Sequence, residues 1–219
     1  MCFFATKSSM KIRMKRKLAV VLLICISCHI GWAAQDFVWK SGQNMKVVCD
    51  TTEAPVVKVA LDLLKRDCRS VLSGEISRSE NTGNIYVGTW GESSVLQALA
   101  DTRQLDVAQL DEHREAFLLN VLPDGRLVVA GSDKRGTAYG VLELSRMMGV
   151  SPWEWWADAV PEKKEEFCLP AGFRKLEYPQ VAYRGIFIND EDWGLTPWSW
   201  KHYEPSERKG QIGPKTHAR

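Results

Sequence analysis

Between Pro55 and Leu72 the apolar residues Val56, Val59, Ala60, Leu63, Leu64, Cys68, Val71 and Leu72 recur at spacings of three and four. That period belongs to an α-helix with one face against a core. Such a helix must lie on something, and its neighbours in sequence supply a sheet. Met45 to Cys49 reads as a strand, Asp50 to Glu53 as a turn, and Pro55 suits a first helical position, with Gly74 just past the end. Asn84 to Gly88 is a second short strand closed by glycine, and Ser93 to Ala100 and Asp106 to Leu110 are short helical segments. Ala116 to Leu122 and Arg126 to Ala130 form a hairpin around Pro123-Asp124-Gly125, because proline presets φ and glycine accepts positive φ. Gly131-Ser132-Asp133 then caps a helix from Lys134 to Met148, with Tyr139, Val141, Leu142, Leu144 and Met147 available for burial and Gly149 as its stop. Gly136 and Gly140, four apart on one face, let this helix approach a sheet closely. The order predicts an α+β or α/β layered domain, helices on a mixed sheet, with Glu165 to Leu169 as an edge strand and residues 171–182 as a linker.

The first 34 residues read as a targeting segment. Lys11, Arg13, Lys15, Arg16 and Lys17 precede an apolar run, Leu18 to Ile26, too short for a comfortable membrane span, and small residues at Ala33 and Ala34 offer a cleavage point. An exported protein, periplasmic or extracellular, is expected; a lipoprotein reading rests on Ser27-Cys28 and is weakened by Cys25, where a Leu-like residue belongs. The segment holds six Lys and Arg and no acid, so of 29 basic and 27 acidic residues, 23 and 27 remain, a net charge of −4. That balance leaves no basic footprint for nucleic acid. Three cysteines survive, Cys49, Cys68 and Cys168, in a spacing that matches neither zinc nor a disulfide framework, so buried thiols are expected.

Three stretches carry residues suited to chemistry. The turn Gly131 to Thr137 opens a helix whose N-terminus can hold an anion such as a phosphate or a uronate carboxylate, with Lys134 and Arg135 beside it; the plainer reading is a capped helix with both cations in solvent. In Ser151 to Asp158, Trp153, Trp155 and Trp156 suit stacking on sugar rings, and Glu154 and Asp158 suit hydroxyls, but the same residues suit an inter-domain contact. The third stretch, YRGIFINDEDWGLTPWSW from Tyr183 to Trp200, delivers Asp190, Glu191 and Asp192 from a strand-like run, Tyr183 to Ile188, into a tryptophan-rich segment. Glycoside hydrolysis needs one carboxylic acid and one carboxylate, and neighbours on a strand point opposite ways, so a partner acid has to come from elsewhere. A solvated acidic turn is the plainer alternative.

The segments GSDKRGTAYGVLELSRMMGVSPWEWWADAVP (Gly131 to Pro161), YRGIFINDEDWGLTPW (Tyr183 to Trp198) and GQIGPKTHAR (Gly210 to Arg219) closely resemble glycoside hydrolase family 115, the xylan α-1,2-glucuronidases. The resemblance runs from about Gln35 to the last residue. It implies an α/β accessory domain over residues 35–170, similar to the one preceding the barrel of β-hexosaminidases, then the first strand of a (β/α)8 catalytic barrel within residues 183–219. It also implies removal of glucuronic acid or its 4-O-methyl ether from glucuronoxylan with inversion, no metal or other cofactor, and a parent able to form a homodimer. Only the first acidic cluster carries over, as catalytic candidates Asp190, Glu191 and Asp192; Asn189, Trp193, Lys134, Arg135, Trp155 and Trp156 stand as candidates for substrate binding. A barrel takes about 250 residues. Only 37 follow from Tyr183 onward, so this chain is expected to be an N-terminal portion, inactive alone. The alternative is a non-catalytic carbohydrate-binding or interaction module with an aromatic surface.

Overall fold

The computed structural model describes residues 34–154, 159–185, 187 and 195–203. The chain divides into two units, residues 1–179 and 180–219. Among the described residues of the first, eight strands form two sheets: β1 (Phe37–Lys40) pairs with β7 (Glu166–Leu169) in an antiparallel ribbon, and the other six run in the order β3-β2-β4-β6-β5-β8. These are β2 (Asn44–Cys49), β3 (Glu75–Ser79), β4 (Ile85–Thr89), β5 (Phe117–Val121), β6 (Leu127–Gly131) and β8 (Arg174–Glu177). The pairs β2–β3, β2–β4 and β4–β6 are parallel, whereas β5 is antiparallel to both β6 and β8. The sheet is therefore mixed, as the order of elements predicts.

Alternation along the strands divides the apolar residues between two cores. Val47, Ile85, Val87, Leu119, Leu127 and Val129 face one side, where they meet α1 (Pro55–Leu72) and α3 (Lys134–Met148). Val48, Tyr86, Leu118, Val128 and Ala130 face the other, where α2 (Ser94–Asp101) and the turn Ala108–Leu110 cover them. Successive side chains on a strand point to opposite faces, so a continuous apolar run is what a strand covered on both faces requires. The β1–β7 ribbon adds Phe37, Trp39, Phe167 and Leu169 to the first core.

Both long helices have the bounds their patterns predict, but the buried arcs are narrower than the apolar stripes. On α1 the buried set is Val57, Ala60, Leu64, Asp67, Cys68, Val71 and Leu72, while Val56 and Val59 are exposed. On α3 Val141 and Leu144 are buried, whereas Tyr139 and Leu142, expected inside, are 39% and 38% exposed. The left-handed stop of α1 falls on Ser73 (φ 51°), one residue before Gly74; that of α3 falls on Gly149 (φ 103°) as expected. Gly136 and Gly140 do admit the close approach: a methyl at 136 would run into the Ala116 carbonyl, and one at 140 would lie 2.8 Å from Val129 Cγ1 and 3.1 Å from Phe117 Cβ.

Three strands escape the sequence pattern. β1 and β3 are short, and β8 lies inside the stretch that reads as a linker; its sequence, Arg-Lys-Leu-Glu, has no apolar run. Besides its ladder to β5, charge holds β8: the buried Glu143 of α3 accepts from Arg146 through both oxygens at 2.6 Å and from Lys175 at 2.6 Å, and Lys175 also meets Glu177 at 2.9 Å. Burial pushes the Glu143 carboxyl up, but the bonds from Arg146 and Lys175 outweigh it and hold the group below the usual range. Cys49 and Cys68 are buried thiols, each pushed up to about 11 chiefly by burial, while Cys168, also expected inside, is exposed on β7.

The second unit is described over residues 180–185, 187 and 195–203, where the turn α4 (Leu195–Trp198) runs into a π-helical turn at Ser199–Tyr203. Tyr183, Arg184, Gly185 and Phe187 carry no strand pairing, and Tyr183 and Phe187 are 96% and 93% exposed. Among the described residues no helix is long and apolar enough to cross a membrane.

Two substitutions test this packing. Gly140→Val should destabilise the fold by about 1–3 kcal/mol in urea titration, because β-branched bulk forces α3 off β5 and β6. Glu143→Gln should cost about 1–2 kcal/mol at neutral pH. Because the folded carboxyl is held low, its contribution is complete above the ordinary carboxyl value of about 4.3 and fades as pH falls through the folded value. Wild type and variant should therefore converge in acid; a pH-independent difference would show that charge is not what holds β8.

Candidate functional site

In a sheet with parallel strands and helices on its faces, ligands gather where strands end and helices begin. Here β2, β4 and β6 end together, and α1, α2 and α3 start from those ends. The start of α3 contains the predicted anion site. Asp133 Oδ1 accepts from Arg135 N and Gly136 N, both at 2.9 Å, and its Oδ2 accepts from Glu115 N at 2.8 Å. The protein's own carboxylate therefore takes the amides a substrate carboxylate would seek. Arg135 Nη1 donates to Glu115 Oε1 at 2.7 Å, and that bond raises the already high pKa of the guanidinium. Lys134 is exposed beside it.

The other two helix starts follow the same rule. Glu53, which is only 4% exposed, accepts from Ala54 N and Thr89 Oγ1 through Oε1 and from Thr89 N through Oε2, at 2.9–3.0 Å. Thr89 Oγ1 in turn lies 2.9 Å from Thr137 Oγ1, which joins the start of α1 to that of α3 across β4. Asp50 accepts from Ser94 N and Ser94 Oγ at the start of α2, and Ser93 Oγ caps Leu96 N. The sequence marks Asp133 as a cap and Asp50 to Glu53 as a turn with helix-start residues, but not the partners Thr89 and Ser94 that Glu53 and Asp50 take. Those partners lie 36 and 44 residues away, a separation no local pattern reports.

The tryptophan-rich loop is anchored rather than loose at its start. Arg66 Nη2 donates to Asp67 Oδ1 at 2.7 Å and to Glu154 Oε2 at 3.1 Å, so Glu154, a candidate for sugar hydroxyls, is engaged with α1. Trp153 is half-exposed, and Trp198 and Trp200 are half-buried. Trp155, Trp156 and Asp158, together with Asn189, Asp190, Glu191, Asp192 and Trp193, lie outside the described residues. Among the described residues no group of three His, Cys, Asp or Glu side chains is placed to hold a metal ion.

Comparison with known proteins gives this geometry its context. The family model described as glycosyl hydrolase family 115 matches residues 176–219. A solved family GH115 4-O-methyl-α-glucuronidase, BtGH115A, whose description gives it specificity for decorated arabinogalactans, shares 57% identity with a TM-score of 0.76. The match covers 83% of this chain and 23% of that one. The structure of CpGH84D follows at 15% identity and a TM-score of 0.42, covering 62% of this chain and 21% of its own. A GH20 exo-β-N-acetylglucosaminidase from Vibrio harveyi matches at 14% identity and 0.41, over 68% of this chain and 18% of its own. No curated protein matches the chain. With 57% identity over 83% of its length to BtGH115A and the family model matching residues 176–219, the chain belongs to glycosyl hydrolase family 115.

Proposed function

We propose that the protein is the N-terminal portion of an exported α-glucuronidase that removes glucuronic acid or 4-O-methylglucuronic acid side chains from a plant polysaccharide, xylan in the first instance, by inverting hydrolysis. The observation that carries this reading is the 57% identity, over 83% of the chain, to a 4-O-methyl-α-glucuronidase. The description of that relative names decorated arabinogalactans, so the common substrate feature is the uronic acid cap, and the backbone beneath it is the open choice. Residues 1–34 act as the export signal, the mixed-sheet unit is an accessory domain of the kind that precedes the barrel in β-hexosaminidases, and residues 183–219 begin a (β/α)8 barrel. In such a barrel the residues just after a strand face the chemistry, which puts Asn189 to Trp193 at the rim.

Inversion requires one carboxylic acid to protonate the leaving oxygen and one carboxylate to activate water, with roughly 6.5–9.5 Å between them. Neighbouring acids cannot be assumed to be that pair, so the cluster Asp190, Glu191 and Asp192 supplies one member of it in this proposal, and the other comes from elsewhere. Trp193, Trp155 and Trp156 offer stacking faces, and Asn189 hydroxyl contacts. Lys134 and Arg135 contribute positive potential toward a uronate, Arg135 while bonded to Glu115.

Two measurements test the proposal. The 219-residue chain alone should release no glucuronic acid from glucuronoxylan or arabinogalactan, since the second acid lies on another barrel strand; release would refute that division of labour. Residues 183–219 exchanged into BtGH115A should leave it active, and Asp190→Asn, Glu191→Gln or Asp192→Asn in that exchange should lower kcat by about 10²–10⁴-fold for whichever acid takes part in proton transfer. An inactive exchange, or three substitutions without effect, would remove the cluster from the mechanism.

A further inference from the structure

A groove opens on the α1 face of the sheet at its β3 edge, with a volume of about 290 Å³. Its floor is apolar, built from Val47, Leu61 and Ile76, and its rim carries Lys65, Arg78 and Asp62. Lys58 and Asp50 line it as well, each already bonded, Lys58 Nζ to the Thr51 carbonyl at 3.0 Å and Asp50 to Ser94. Arg78 stands exposed on the edge strand β3, paired with Val47 of β2, and the row beyond it runs through Ile85, Leu127 and Val121, all apolar and buried. One Arg78 donor is spent on the Cys49 carbonyl at 2.8 Å, and a guanidinium carries five. Lys65 makes no ion pair with another described residue.

We propose that this groove binds a sugar carboxylate, a uronate of monosaccharide size. The carboxylate sits between Lys65 and Arg78, the ring's C–H face lies on Leu61 and Ile76, and Asp62 accepts from ring hydroxyls. Three cations against two carboxylates in the lining leave a net charge of +1, which suits a monoanion. An amphipathic floor and rim suit a ligand with one apolar face, and a uronate is both. The groove lies on side chains of β2, β3 and α1, apart from the helix starts, which the protein's own carboxylates fill. The choice of a uronate over other compact carboxylates rests on the proposed function; the anion-on-apolar-floor chemistry does not.

The test is a titration of the isotope-labelled full chain with sodium D-glucuronate, followed through backbone amide shifts, with glucose and cyclohexanecarboxylate in parallel. With about 13 non-hydrogen atoms at the efficiency of an ordinary ligand, a Kd on the order of 1 mM is expected. Saturable shifts should centre on Leu61, Asp62, Lys65, Ile76 and Arg78, and Lys65→Gln should weaken binding about fivefold while leaving the spectrum folded. Glucose should be weaker by at least that factor. Binding of cyclohexanecarboxylate without glucuronate would overturn the uronate assignment and leave the function of the parent untouched. Shifts centred on residues 133–137 would move the site to the start of α3 and refute the groove, and so would a Lys65→Gln titration identical to wild type. No saturable shift up to 50-fold above the expected Kd would mean that Arg78 serves only to guard the sheet edge.

Discussion

A strand covered on both faces has nowhere to put a polar side chain, and β4, β5 and β6 all live under that constraint. Every residue of β4 and β6 is buried, and β5 departs only at Asn120. Two consequences follow. The helices can pack closely on such strands only where their own side chains vanish, which is why α3 presents Gly136 and Gly140 to Ala116, Phe117 and Val129. Polar chemistry is pushed to strand ends, edges and loops, so anything this unit recognises has to be recognised there.

At the strand ends the protein has already used its own carboxylates. Asp50, Glu53 and Asp133 each satisfy backbone N–H groups that a helix start leaves without partners, and through Thr89 and Thr137 two of these starts are joined. A nucleotide-binding sheet of similar layout leaves those amides for phosphate. Here the same geometry serves stability, and the electrostatics of the helix ends are cancelled locally. Any ligand this unit takes would therefore be held by side chains at its rims, where charge and apolar surface stand side by side.

Much of this layout is legible from sequence because the large elements carry their own punctuation. Pro55 and the left-handed stop bound α1; Asp133 and Gly149 bound α3; Pro123-Asp124-Gly125 turns the hairpin with Gly125 at φ 80°. What escaped was whatever depends on distant partners. Edge strands need one covered face at most, so β3 carries no clear pattern and β8 reads as linker; the ladder to β5 and the Glu143–Lys175 pair hold Arg-Lys-Leu-Glu extended. Val56, Val59, Tyr139 and Leu142 match the helical period yet remain outside, because a period fixes which residues share a face and not how wide the contact is. Of the candidate site residues named from the sequence, Lys134, Arg135, Trp153 and Glu154 fall among those described. A strand-to-helix turn announces a possible anion site equally well whether a substrate or an aspartate fills it, and here Asp133 does.

The same reasoning separates the two roles proposed for uronate recognition. Hydrolysis requires a carboxylate pair whose protonation states differ, hence neighbours that push two acids apart in pKa. The described unit gives the buried Glu143 the opposite environment: Arg146 and Lys175 donate to it and hold it ionised. An acid bound as Glu143 is keeps a fold together and is a poor proton donor near neutral pH. Under the proposed function, proton transfer is assigned to the cluster that begins at Asp190, and the role proposed for the sheet unit is binding: positive potential beside α3, or the amphipathic groove under β3. Substrate affinity and chemistry would then be carried by different parts of the chain, and a substitution at Lys65 or Arg78 would act on KM before it acted on kcat.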